Sequence, residues 1–157
     1  MIKQFEEIEA WQLARELTKA VYAIAKTSAF IHDFGLRDQI RRASVSIMAN
    51  IAEGFERDGT NEFIQHLSIA KGSSGEVRSH LYVALDASYI DRQTFDSLFS
   101  LSVSISKLIA AFITHLKNSP LKGSKFNRPR DLSPETCHLS PETCHLKPVT
   151  CHLSPET

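Results

Sequence analysis

The sequence predicts an all-α protein, an up-down-up-down antiparallel four-helix bundle over residues 1–119 followed by a disordered repetitive C-terminal tail. Three observations carry this. Four segments repeat apolar residues at three- and four-residue spacing, the period of one helix face. The links between them are a few residues long, which forces consecutive helices antiparallel. No run alternates polar and β-branched residues as a strand would.

The first segment, Phe5 to Thr27, places Ile8, Trp11, Leu13, Ala14, Leu17, Val21 and Ile24 along one stripe. Glu6, Glu7 and Glu9 fall in its opening turns, where the helix dipole favours acids. A loop is expected through Phe30–Gly35. The second stripe runs Leu36, Ile40, Ala43, Ile47, Ile51, with Gly54 and Gly59 bracketing its end. The third, Phe63, Leu67, Ala70, Ser74, Val77, Leu81, Ala84 and Ser88, alternates steps of four and three like a heptad seam. Thr60 is the expected N-cap of this helix and Asp91 that of the next. The fourth stripe is Phe95, Leu98, Ser102, Ile105, Ile109, Phe112 and Leu116, ending near Asn118-Ser119-Pro120.

Beyond it, residues 120–131 read as a polar linker and residues 132–157 as seven-residue repeats of the type Leu132-Ser133-Pro134-Glu135-Thr136-Cys137-His138. A proline in every copy removes a backbone donor and excludes a coiled coil, so this tail is expected to be extended and disordered. All three cysteines, Cys137, Cys144 and Cys151, lie there, each followed by a histidine. Zinc ligands normally come in pairs separated by two to four residues with a turn between. Near-identity of adjacent units fits a tandem DNA repeat read in frame better than a metal site, so no metal and no cofactor is expected.

Composition narrows the function. The chain carries 18 basic and 18 acidic side chains, and residues 1–119 alone carry 13 and 14. A phosphate-gripping surface usually needs a basic excess. No uninterrupted apolar run reaches the eighteen or so residues that mark a membrane span, and the acidic start Met1–Glu7 is unlike a signal peptide. The expected location is cytoplasmic, with no membrane partner. No catalytic residue is expected: His32, His66, His80 and His115 are scattered, and no phosphate loop, nucleophile elbow or paired Glu-x-x-His is present. No small-molecule substrate is expected either.

Two polar patches stand out. Arg42, Ser46, Asn50 and Glu53, with Gln39 nearby, share a face of the second helix. Ser73 and Glu76, beside Gly72 and Gly75, form a small-residue patch on the third. Together these are expected to make an interhelical or interface polar network that fixes register. The alternative is nucleic-acid contact through Arg37, Arg41 and Arg42. Ile64, Phe99 and Val103 are additional apolar positions, expected to be exposed and to support self-association.

The run Gly35–Gly54 reads G-L-R-D-Q-I-R-R-A-S-V-S-I-M-A-N-I-A-E-G. It resembles the signature G-L-x-x-Q-x-R-R-A-x-x-S-x-x-x-N-I-A-E-G of the bacterial four-helix bundle proteins named for reading frames within 23S rRNA intervening sequences, and matches every fixed position. Trp11 with Ala14, Phe63 with Leu67, Ala70–Glu76 and Tyr89-Ile90 are similar to further family positions. The resemblance spans residues 5–118. It implies a bundle assembling as a homopentamer without enzymatic activity, acting as an interaction or scaffold protein. The fold is also similar to accessory proteins of diversity-generating retroelements, which implies RNA or DNA as an alternative partner. The balanced charge departs from the strongly basic surface of that role.

Overall fold

The computed structural model describes residues 2–57 and 59–118, without the side chains of Ser28 and Ala29. The linker 120–131 and the repeats 132–157 lie outside the described residues, as do the disorder and metal expectations attached to them. A 3-10 turn, Phe5–Glu7, leads into α1 (Glu9–Ile24). A one-turn helix α2 (Ser28–Ile31) precedes the three long helices α3 (Phe34–Glu56), α4 (Thr60–Asp86) and α5 (Arg92–Asn118).

The short links at 57–59 and 87–91 make α3, α4 and α5 run alternately up and down. Helix α3 packs on α4 and α4 on α5, while α1 closes the ring against α3 and α5. The expected stripes face the enclosed axis. Leu17, Val21, Ile40, Ile47, Ile51, Leu67, Val77, Leu81, Ile105 and Ile109 are all fully buried. Truncating any of these to alanine should cost about 2–5 kcal/mol.

The ends differ from the expectations. The segment Phe30–Gly35 is not simply a loop. Phe30 sits on α2, fully buried, with its ring 5.4 Å from that of Tyr89 in the α4–α5 link. An apolar ring in a link thus plugs one end of the bundle. Asp33 then caps α3, its Oδ1 accepting from Leu36 N–H at 2.9 Å. Thr60 is the first residue of α4 rather than its cap. Gly59 takes the N-cap position in extended backbone, a place glycine tolerates. Asp91 does cap α5, accepting from Thr94 N–H at 2.7 Å.

Ser88 does not continue the α4 stripe. It has φ 58°, and Ser88 N–H and Tyr89 N–H donate back to the carbonyls of Leu85 and Ala84. This is the Schellman ending, with serine where glycine is usual. Among the described residues α5 is the one helix long and apolar enough to cross a membrane by length and composition. Within the bundle its stripe Phe95, Leu98, Ile105 and Ile109 is buried.

Candidate interaction surface and polar cross-links

Hydroxyl and amide groups link the helices at three levels. Between α1 and α3, Thr18 Oγ1 lies 2.8 Å from its own helix's Ala14 carbonyl and 3.1 Å from that of Ser44. Between α4 and α5, Ser74 and Ser102 are fully buried. Each Oγ lies 2.9 Å from the other's carbonyl oxygen, and the two Oγ atoms are 3.0 Å apart. Small side chains let the two backbones come close enough for each hydroxyl to meet the opposite helix.

The third level, between α3 and α4, holds the predicted polar patches. Ser46 Oγ is 2.9 Å from Ser73 Oγ. Asn50 Nδ2 donates to the Ser46 carbonyl at 2.9 Å and to its hydroxyl at 3.1 Å. Asn50 Oδ1, left to accept, lies 3.1 Å from His66 Nδ1, which puts the proton of a neutral His66 on Nδ1. His66 Nε2 then faces Glu53 Oε1 at 3.8 Å. Glu53 also accepts from Arg57 at 2.7 Å, and Arg57 reaches Glu62 at 3.6 Å. Hydrogen bonding to Arg57, helped by the positive charge that His66 carries when protonated, holds the Glu53 carboxyl below its ordinary range.

Ser46, Asn50, Glu53 and Ser73 are therefore brought together. Gln39, Arg42 and Glu76 are exposed and stand outside this chain of bonds. Arg42 lies one helical step of four before Ser46, about 40° further round α3, which turns it to solvent. His66 completes the network although its sequence position alone gave no reason to include it. The available signal was the hairpin: residues on either side of the 57–59 link face one another, 50 with 66 close to it and 46 with 73 further out.

Gly54 explains its own place in this arrangement. A Cβ there would lie 2.6 Å from His66 Cβ and 2.9 Å from the Phe63 ring. The absent side chain at Gly54 is what lets α4 come this close to α3. Phe63 in turn meets Phe55 and Phe112 edge-on, with centroids 6.1 and 5.3 Å away.

The arginines of the basic strip have different surroundings. Arg37 donates to the Ile31 carbonyl at 3.1 Å and lies over the Phe34 ring at 4.7 Å. Arg41 lies 4.6 Å over Tyr22 of α1, with its Nε buried and without a hydrogen bond. Arg42 is open to solvent. Beside them, an open groove between α1 and α3 is lined almost wholly by apolar groups, including Trp11, Tyr22, Val45, Met48, Ala49 and Ala52. The expected exposed set is corrected here. Ile64, Phe99 and Val103 are half-buried, Phe99 because it packs on Tyr82 and Phe95 at 5.6 and 5.3 Å. Among the described residues the large apolar side chains left open are Ile2, Tyr22, Ile31, Phe34, Val45, Ile69, Tyr82 and Val83. Among the described residues no group of three or more histidine, cysteine, aspartate or glutamate side chains could hold a metal.

The signature segment thus supplies the polar face of α3, the close approach at Gly54 and one wall of the groove. The model of the 23S rRNA-intervening sequence protein family matches residues 6–111. The chain belongs to this family. A solved member of the S23 ribosomal protein family from Bacteroides thetaiotaomicron, described as a protein with unknown function, is similar to it at 26% sequence identity and a TM-score of 0.63. The match covers 67% of this chain and 95% of that one. No curated protein matches. The family match ends at residue 111, leaving out the repeats.

Proposed function

We propose that this family member is a self-associating four-helix bundle that works as an interaction or scaffold protein and catalyses no reaction. The observation that carries this is the α1–α3 groove. Its lining is almost entirely apolar, and Tyr22 and Val45, which lie along it, are left about two-fifths exposed. Apolar surface of this kind, contiguous and flanked by charge, is the usual mark of a protein contact. The polar cross-links support a structural part: Ser46, Asn50, Ser73 and His66 bond to one another inside the fold, and Glu53 faces His66 and Arg57. The assembly we favour is the homopentamer that the family resemblance implies. Light scattering on the full chain tests it, with a mass several times 17.6 kDa expected and a monomer counting against it.

A second reading, nucleic-acid contact, is favoured by one observation: the cations Arg15, Lys19, Arg41 and Arg42 lie along the same groove. Repetition round a ring would add avidity to a weak patch. Binding of this kind weakens steeply with salt. A gel shift with structured RNA that is absent, or that ignores salt, sinks this reading.

A further inference from the structure

Helix α4 carries two heptad stripes. One is buried in the bundle. The other, Glu62, Ile69, Glu76 and Val83, recurs at strict sevens and faces solvent along its whole length. Ile69 and Val83 are 46% and 49% exposed, far more than a packed side chain. Gly72 sits in the middle of this ridge, and a Cβ built there would meet nothing within 4 Å. A mid-helix glycine costs about 1 kcal/mol relative to alanine, and the chain's own packing provides no reason for it. The contrast with Gly54, where the same helix is pressed against α3, is direct.

The α1–α3 groove is the converse surface. Its floor is apolar, formed by Trp11, Tyr22, Val45 and Met48. Its flanks are cationic: Arg15 lies 6.0 Å over Trp11, Lys19 lines the groove, and Arg41 and Arg42 line the adjoining polar end with Asp38. An acidic, apolar ridge with a bare backbone at its centre matches a cationic, apolar groove in both sign and shape.

Resting on the self-association proposed above, we propose that the α4 ridge of one copy seats in the α1–α3 groove of the next. Gly72 lets the α4 backbone approach the groove wall, Ile69 meets the apolar floor, and Glu76 pairs with the arginines at the rim. The two patches differ, so the contact is head-to-tail. Such contacts close into a ring or run on as a filament.

The test uses two surface variants of the full chain in reducing buffer, followed by light scattering. Ile69→Glu removes the ridge and Val45→Glu blocks the groove. Each alone is expected to lose the assembly and run at the monomer mass. Mixed in equal amounts they should form a heterodimer, because one intact ridge meets one intact groove, and that recovery also proves both variants folded. Gly72→Ala should weaken assembly while raising the melting temperature measured under dissociating conditions, a split that a glycine with a purely internal role would not produce. If Ile69→Glu assembles like the wild type, or the mixture stays monomeric, the ridge is not the occupant and the proposal fails while self-association stands. A monomeric wild type overturns the self-association reading itself.

Discussion

Ser74 and Ser102 exchange hydroxyl-to-carbonyl contacts across the α4–α5 interface, 2.9 Å in each direction, with no exposure of either residue. The pair ties two backbones that a larger side chain would hold apart. Ser74→Ala removes one bond and leaves Ser102 able to donate to the carbonyl of residue 74, so its expected cost is about 1 kcal/mol. Ser74→Leu must separate the helices and should cost up to about 3 kcal/mol. Urea unfolding of both variants checks the order. A Leu variant as stable as the Ala variant would contradict the close approach.

The two helical glycines should respond with opposite sign. Gly54→Ala forces a Cβ against His66 and Phe63 and is expected to destabilise by about 1–3 kcal/mol. Gly72→Ala enters open space and should stabilise the folded chain by about 0.5–1 kcal/mol. Thermal melts under dissociating conditions separate the folding effect from any loss of assembly.

The α4 ending offers a third measurement. Ser88 occupies the left-handed region at φ 58°, which costs a residue with a Cβ about 1 kcal/mol more than glycine. Ser88→Gly is expected to recover about that amount, since the backbone bonds of the cap do not use the serine side chain. Destabilisation by this change would mean the hydroxyl has a role that the backbone does not show.

The Glu53 clasp predicts a pH dependence. Its carboxyl is lowered from 4.5, chiefly by the Arg57 hydrogen bond. Asp91 is likewise lowered from 3.8 by its bonds to Thr94. A depressed carboxylate contributes stability that is fully present above the unfolded-state value and lost as pH falls through the folded-state value. The wild type should therefore lose stability on the acid side, below the ordinary carboxylate range, and not between neutral and mildly alkaline pH. Glu53→Gln should flatten that acid limb while changing little at its foot. A parallel acid limb in the variant would remove Glu53 from the account.

What could be read from the sequence was whatever depends on one helix at a time. The buried stripes of Ile40, Ile47 and Ile51, or of Phe63, Leu67 and Val77, follow from period alone, and the Asp91 cap from its position before a stripe. Features that depend on two elements together were harder. Phe30 reads as part of a loop until Tyr89 is placed beside it. Ser74 and Ser102 read as ordinary seam positions until α4 and α5 are set in register. His66 joins the Ser46–Asn50–Glu53 face only through the hairpin. The exposed set moved for the same reason: Phe99 finds Tyr82 and Phe95 as partners, whereas Val45, Ile69 and Val83 stay more than two-fifths exposed.

On the proposed function, the apolar groove between α1 and α3 is covered by another protein surface in a self-assembled state. Size-exclusion chromatography with multi-angle light scattering tests it most directly, on the full chain at micromolar concentration with reductant present to keep Cys137, Cys144 and Cys151 from cross-linking. A single species several times the 17.6 kDa chain mass, dissociated by Val45→Glu, is expected. A wild-type protein that elutes as a monodisperse monomer would contradict it.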